Sequence, residues 1–162
     1  MIKRKAVYPG TFDPITYGHL DLLKRATKIF DEVVVAVAHS VNKAPLFSVD
    51  ERVSMVKKAV AGIENVKVDD FNCLVVDYMM KVEARTIIRG IRMISDFEFE
   101  FQMALTNRQL NSEVETIFMM PHESYCYLSS KLIKEAVMLG ADVKQFVPKE
   151  IAEALTNKLR PE

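Results

Sequence analysis

Thr11, Thr16 and His19 bring two hydroxyls and an imidazole into one short stretch, Tyr8-Pro9-Gly10-Thr11-Phe12-Asp13-Pro14-Ile15-Thr16-Tyr17-Gly18-His19. Hydroxyls and ring N–H groups donate to anionic oxygens, so this set suits a phosphate. Pro9-Gly10 and Asp13-Pro14 are turn formers and predict a tight loop. Gly10 has no Cβ and is expected to let a ligand approach the backbone. Gly18-His19 falls at a helix start, where free N–H groups and the positive dipole end attract a phosphate. A second group is Arg89-Gly90-Ile91-Arg92, two guanidiniums beside a flexible turn, and arginine forks match phosphate oxygens. Lys43, within Asn42-Lys43-Ala44-Pro45, is a lone cation that spacing alone reads as solvated.

These groups need a scaffold. Ala6 to Tyr8 reads as a short apolar strand before the first loop, and Leu20, Leu23, Ala26 and Phe30 recur at helical spacing after it. The continuous run Val33 to Ala38 suits a parallel strand covered on both faces. Ser48 and Glu51 form a capping box that opens a helix burying Val53, Val56, Val60 and Ile63. A strand within Asn65 to Phe71 follows, then a helix Leu74 to Val82 with Leu74, Tyr78 and Val82 on one face. Thr86 to Gly90 is a buried strand whose C-terminal end carries Arg89; ligands of open parallel sheets bind at that edge. Ser95 and Glu98 predict a second capping box for a helix ending near Leu110. That helix has two apolar stripes, Phe97, Phe101, Ala104 and Leu105 against Phe99, Met103 and Leu110, where a monomer needs one. Glu115 to Met120 is the last core strand. Ser129 or Ser130 caps the helix Lys131 to Leu139, which Gly140 ends, and Pro148 opens a final helix. Strands alternating with helices predict a single α/β domain, 1–162, with a Rossmann-like, doubly wound, five-stranded parallel sheet.

The bulk properties exclude several classes. Lys plus Arg and Asp plus Glu are 22 each, for a net charge of zero, so no basic field draws in a nucleic acid. No apolar run is long enough for a bilayer span, and the basic start Met-Ile-Lys-Arg-Lys lacks a signal-peptide core. Cys73 and Cys126 could pair, but two scattered cysteines fit reduced thiols of a cytoplasmic protein. No Gly-x-Gly-x-x-Gly follows the first strand and no P-loop motif occurs. His19, His39 and His122 have no metal-ligand spacing, so a metal is expected only as magnesium on nucleotide phosphates.

Thr-x-Gly-His after a strand and a Gly-Thr-Phe-Asp-Pro turn resembles the nucleotidyltransferase superfamily. Within it the chain resembles the phosphopantetheine adenylyltransferases over nearly its whole length. The blocks that carry this are Tyr8 to Thr16 with Gly18-His19, Asn42-Lys43, Ile88 to Arg92, Asp96 to Glu100, Leu128-Ser129-Ser130 and Lys134-Glu135. The resemblance implies transfer of the adenylyl group of ATP to 4'-phosphopantetheine, giving dephospho-coenzyme A and pyrophosphate with magnesium. It also implies a hexamer.

By position, the resemblance assigns His19 to stabilising the transition state, with Lys43 and Arg92 beside it as catalytic groups. Thr11, Phe12, His19, Gly90, Ile91, Arg92 and Glu100 are implied at ATP, with the segment Tyr125, Cys126, Tyr127, Leu128, Ser129, Ser130 and Lys131. Thr11, Lys43, Val75 and Arg89 are implied at phosphopantetheine. No protein side chain is implied as a metal ligand. Two residues depart from the pattern: Tyr17 stands where many members have Asn, and Lys131 where a third small hydroxyl residue is common. The acceptor phosphate is already anionic, so no general base is required; positioning and charge neutralisation do the work. Another small adenylyl- or cytidylyltransferase, or a non-catalytic adenine-nucleotide sensor, are the competing expectations.

Overall fold

In the computed structural model of the chain the described residues are 3–39 and 44–160. Its elements, in order, are β1 (Lys5–Gly10), α1 (Tyr17–Ala26), β2 (Glu32–Ala38), α2 (Val49–Val60), β3 (Val66–Phe71), α3 (Val75–Lys81), β4 (Thr86–Gly90), α4 (Ile94–Leu110), β5 (Glu115–Met119), a single 3-10 turn (Glu123–Tyr125), α5 (Ser130–Met138) and α6 (Lys149–Leu159). The five strands form one parallel sheet in the order β3-β2-β1-β4-β5. The chain runs outward from β1 through β2 to β3, then returns to the other side of β1 for β4. The order therefore reverses between β1 and β4, and their C-terminal ends border a crevice there.

Both faces of the central strands are covered, as continuous valine runs require. One face packs Val33, Val35, Val37 and Ile88 against Leu20 and Leu23 of α1, Val56 and Val60 of α2, and Ile133, Ile151 and Leu155 of α5 and α6. The other packs Val7, Val34, Ala36 and Ile87 against Val76, Tyr78 and Met79 of α3. Leu74, expected on that buried face, instead sits at the N-cap of α3 and is 57% exposed. In α2, Val56 and Val60 are buried, while Val53 and Ile63 are partly buried around the core.

The Ser48–Glu51 capping box is present, with Glu51 N–H donating to Ser48 and Ser48 N–H to Glu51. The Ser95–Glu98 box is not. Helix α4 starts at Ile94, so Ser95 falls inside its first turn and the N-cap is Met93, whose side chain has no oxygen to accept from the first-turn N–H groups; Asp96 pairs with Arg92. Ser129 caps α5 through the Leu132 N–H, and Gly140, at φ +93°, ends that segment.

Helix α4 faces the protein with polar groups. Its buried residues are Glu100 and Asn107, whereas Phe97, Phe99, Phe101, Met103, Leu105 and Leu110 are all more than 40% exposed. Both expected apolar stripes therefore remain open in the isolated chain.

Candidate active site

A cleft of about 830 Å³ lies over the β1/β4 switch point. It has two parts. Thr16, Gly18 and His19 at the start of α1, with Pro121, Tyr125 and Leu128 to Lys131, line the part above that helix. Phe71, Val75, Ile87, Phe99 and Met103 line an apolar part between α3 and α4, with Asn107 and Thr116 as its polar groups. The side-chain amide of Asn107 has no hydrogen-bond partner among the described residues, although the residue is 9% exposed.

Helix α1 begins in the way that best serves His19. Thr16 is the N-cap and accepts from the His19 N–H, while the Thr16 N–H donates to His19 Nδ1 at 3.0 Å. Because a backbone N–H can only donate, Nδ1 must be the unprotonated nitrogen, and the neutral ring carries its proton on Nε2. Burial, followed by the nearby Arg92 and Arg89 charges, lowers the His19 pKa to about 4. His19 is thus a neutral donor with its Nε2 unpartnered among the described residues. The ring packs edge-on to Phe12, centroids 5.1 Å apart, and Phe12 packs edge-on to Tyr8.

Phe12 has φ +48°, a left-handed conformation that turns its ring inward, where it is 3% exposed. Only its backbone remains to meet a ligand. The same ring occupies the space above Gly10; an added Cβ there would lie 3.0 Å from it. Gly10 therefore makes room for Phe12, and it also lines the cleft, where a ligand is expected to approach its backbone. Gly90 serves the same end, since a Cβ there would lie 2.6 Å from Leu22 of α1.

Two cations border the cleft in fixed settings. Arg89 binds Glu100 with both carboxylate oxygens, at 2.8 and 2.5 Å, and donates to the Pro9 carbonyl at 2.7 Å. Burial opposes the Arg89 charge, but Glu100 outweighs it and raises the guanidinium pKa. Arg92 pairs with Asp96 and donates to the Leu128 carbonyl at 2.6 Å.

Beneath the loop after β1 lies a hub of buried charge. Asp13 accepts from the Leu46 and Phe47 N–H groups and from Lys134 at 2.7 Å. Burial alone would raise its carboxyl; Lys134 and the two amides hold it below the ordinary range. Arg52, 2% exposed, donates to the carbonyls of Thr11, Ala38 and Phe47 at 2.7, 2.8 and 3.1 Å. One side chain so joins the loop after β1, the end of β2 and the start of α2.

Residues 7–136 match the cytidylyltransferase-like family model. A phosphopantetheine adenylyltransferase of Caldanaerobacter subterraneus subsp. tengcongensis is 51% identical over 97% of this chain and 98% of its own. One from Opitutus terrae is 53% identical over 94% and 95%. The chain belongs to the phosphopantetheine adenylyltransferase family. Among solved structures, a bifunctional NMN adenylyltransferase/ADP ribose pyrophosphatase from Francisella tularensis superposes with TM-score 0.70 at 14% identity, over 96% of this chain and 49% of that one. At that identity the likeness concerns the fold alone.

Of the positions that membership in the phosphopantetheine adenylyltransferases points to, the cleft gathers Thr11, Phe12, His19, Val75, Arg89, Gly90, Arg92, Glu100, Tyr125, Leu128, Ser129, Ser130 and Lys131. Ile91, Cys126 and Tyr127 do not line it. Ile91 N–H donates to the Met119 carbonyl, the Cys126 thiol faces the Pro121 and His122 carbonyls, and Tyr127 packs edge-on to Phe146. Lys43 lies outside the described residues. Lys131 is nearly fully exposed at the cleft rim beside Glu135. Arg52 was not singled out by the sequence, and Asp13 was read only as a turn former. An arginine one residue past a capping box, on a helix's apolar face, was the available signal for Arg52.

Proposed function

We propose that the chain transfers the adenylyl group of ATP to 4'-phosphopantetheine, forming dephospho-coenzyme A and pyrophosphate in coenzyme A biosynthesis. The two-part cleft carries this reading. Its part above α1 offers helix N–H groups, hydroxyls and a neutral imidazole donor, which suit nucleotide phosphates. Its apolar part, with the unpartnered Asn107 amide and Thr116, suits a slender arm bearing amides. The residues at the junction, Thr11 and Arg89, would then meet the phosphate of the acceptor.

In the reaction an acceptor phosphate oxygen attacks the α-phosphorus of ATP in line. A new P–O bond forms, the bond to the β-phosphate oxygen breaks, and pyrophosphate leaves with that electron pair. No proton need be removed and no covalent enzyme intermediate forms. His19 donates from Nε2 to an α-phosphate oxygen as its charge grows, a bond stronger in the transition state than in the ground state. Arg89 and Arg92, held by carboxylates, supply fixed positive charge.

Magnesium enters as part of the nucleotide substrate. Among the described residues no three His, Cys, Asp or Glu side chains converge on a point. No helix among them is long and apolar enough to cross a membrane, in keeping with a cytoplasmic enzyme. The exposed face of α4 supports assembly into a hexamer, as the resemblance implies.

The deciding experiment measures pyrophosphate release from ATP with 4'-phosphopantetheine, with nicotinamide mononucleotide, or with no acceptor. Release with the first alone is expected. Release with nicotinamide mononucleotide instead, or ATP binding without release, overturns the reading.

A further inference from the structure

The segment Met120 to Ser129 crosses from the end of β5 to the start of α5 and supplies Pro121, Tyr125, Leu128 and Ser129 to the cleft. It belongs to no sheet and contains one short turn, so its backbone groups need partners elsewhere. Helix α1 provides two at its beginning. Asp21 Oδ2 accepts from the His122 N–H at 3.0 Å, and Arg25 donates to the Met120 carbonyl. Asp21 and Arg25 also face each other at 3.5 Å, one turn apart on the helix. His122 continues the chain of contacts, its ring accepting from the Ser124 N–H at 3.2 Å. Gly18 leaves the first turn of α1 open to Tyr125, whose Cβ would lie 3.5 Å from an added Cβ. At the far end Arg92 holds the Leu128 carbonyl.

We infer that Asp21 and Arg25 are positioning residues that set the nucleotide-lining segment Met120–Ser129 against His19. His19 is on the same helix, within one turn of Asp21. A single rigid element therefore carries both the ring that faces the nucleotide and the carboxylate and guanidinium that hold the nucleotide's wall. Neither side chain lines the cleft. Their effect passes through the loop backbone and falls on ATP, because the loop borders the part of the cleft above α1 and not the part between α3 and α4. This assignment rests on the reading that ATP occupies the part above α1.

The test is Asp21→Ala, Asp21→Asn and Arg25→Gln, each followed by calorimetric ATP binding, by the KM of each substrate and by melting temperature. Loss of a hydrogen bond to a charged group at a partly exposed site should weaken ATP binding and raise its KM by roughly fivefold to tenfold. The KM for 4'-phosphopantetheine should stay within about twofold by the same reasoning. Asn keeps an oxygen that accepts from the His122 N–H, so Asp21→Asn should restore most of the ATP affinity. Arg25→Gln, which loosens the Met120 carbonyl and removes the charge facing Asp21, should reproduce the split. A lower melting temperature with unchanged ATP affinity and KM, an equal rise in both KM values, or no recovery with Asn overturns the assignment. Calorimetry needs no turnover. If wild-type protein releases no pyrophosphate with 4'-phosphopantetheine, the reaction reading fails, while the ATP affinities of the variants still decide for or against Asp21 and Arg25.

Discussion

The Thr16 N–H and His19 Nδ1 stand 3.0 Å apart, and this one bond gives His19 two duties. It closes the capping box of α1, and it leaves the ring proton on Nε2. Capping and catalysis are therefore not alternatives at this residue. His19→Ala should lose both: about 1 kcal/mol of stability, and roughly a hundred- to a thousandfold of turnover. His19→Gln keeps a third-position acceptor for the Thr16 N–H. It should recover the melting temperature but not the turnover, with ATP affinity near wild type. Turnover restored together with stability would mean that His19 acts only as a cap.

The same ring sets a pH dependence of stability. His19 titrates near 6.5 when unperturbed and near 4 in the folded chain. Between those values the unfolded chain binds more protons, so stability rises with pH across this window and is lost as pH falls from 6.5 toward 4. The slope from this one group is at most about 1.4 kcal/mol per pH unit. Melting temperatures from pH 4 to 7.5 should fall more steeply on acidification in wild type than in His19→Gln. Asp13, whose carboxyl is held low, acts in both proteins and cancels in the difference. Coincident curves would count against a buried neutral His19.

Glu100 is the carboxylate that neutralises Arg89, and it is one of only two buried residues on α4. Glu100→Ala leaves a largely enclosed guanidinium without its partner, which should cost roughly 3 kcal/mol. Urea denaturation at matched protein concentration reads this directly. A loss below about 1 kcal/mol would show that solvent already screens the pair.

Arg52→Met should destabilise by roughly 2–3 kcal/mol, since the buried Phe47 carbonyl and the part-buried Thr11 and Ala38 carbonyls lose their donor at once. The measurement is again denaturant unfolding. A near-neutral result would mean that water replaces the guanidinium.

Phe97, Phe101 and Leu105 share the outer face of α4 and are each about half exposed. A face of that kind favours association, and closed symmetry is the usual outcome. Replacing Phe101 and Leu105 by Gln together should shift sedimentation from an oligomer to a monomer. A wild-type monomer at micromolar concentration would remove the basis for this expectation.

The sequence by itself determined the order of elements and the place of the site. Valine runs, turn formers and capping residues act locally, so β2, the start of α2 at Ser48 and the loop from Gly10 to Gly18 were legible from neighbours in the chain. Thr-x-Gly-His and Arg-Gly-Ile-Arg also marked the strand ends that meet at the crevice. Only the tertiary structure decided how the charges there are used. Arg89 with Glu100, Asp13 with Lys134, and Arg52 with three separate carbonyls join residues of different elements and loops. No spacing rule records a pairing made by the packing of different elements. The same holds for α4, where the sequence showed two apolar stripes but not that Glu100 and Asn107 would face the protein. Once Arg89 fixes Glu100 inward, helical geometry carries Asn107, two turns on, to the same side and leaves the phenylalanines outside.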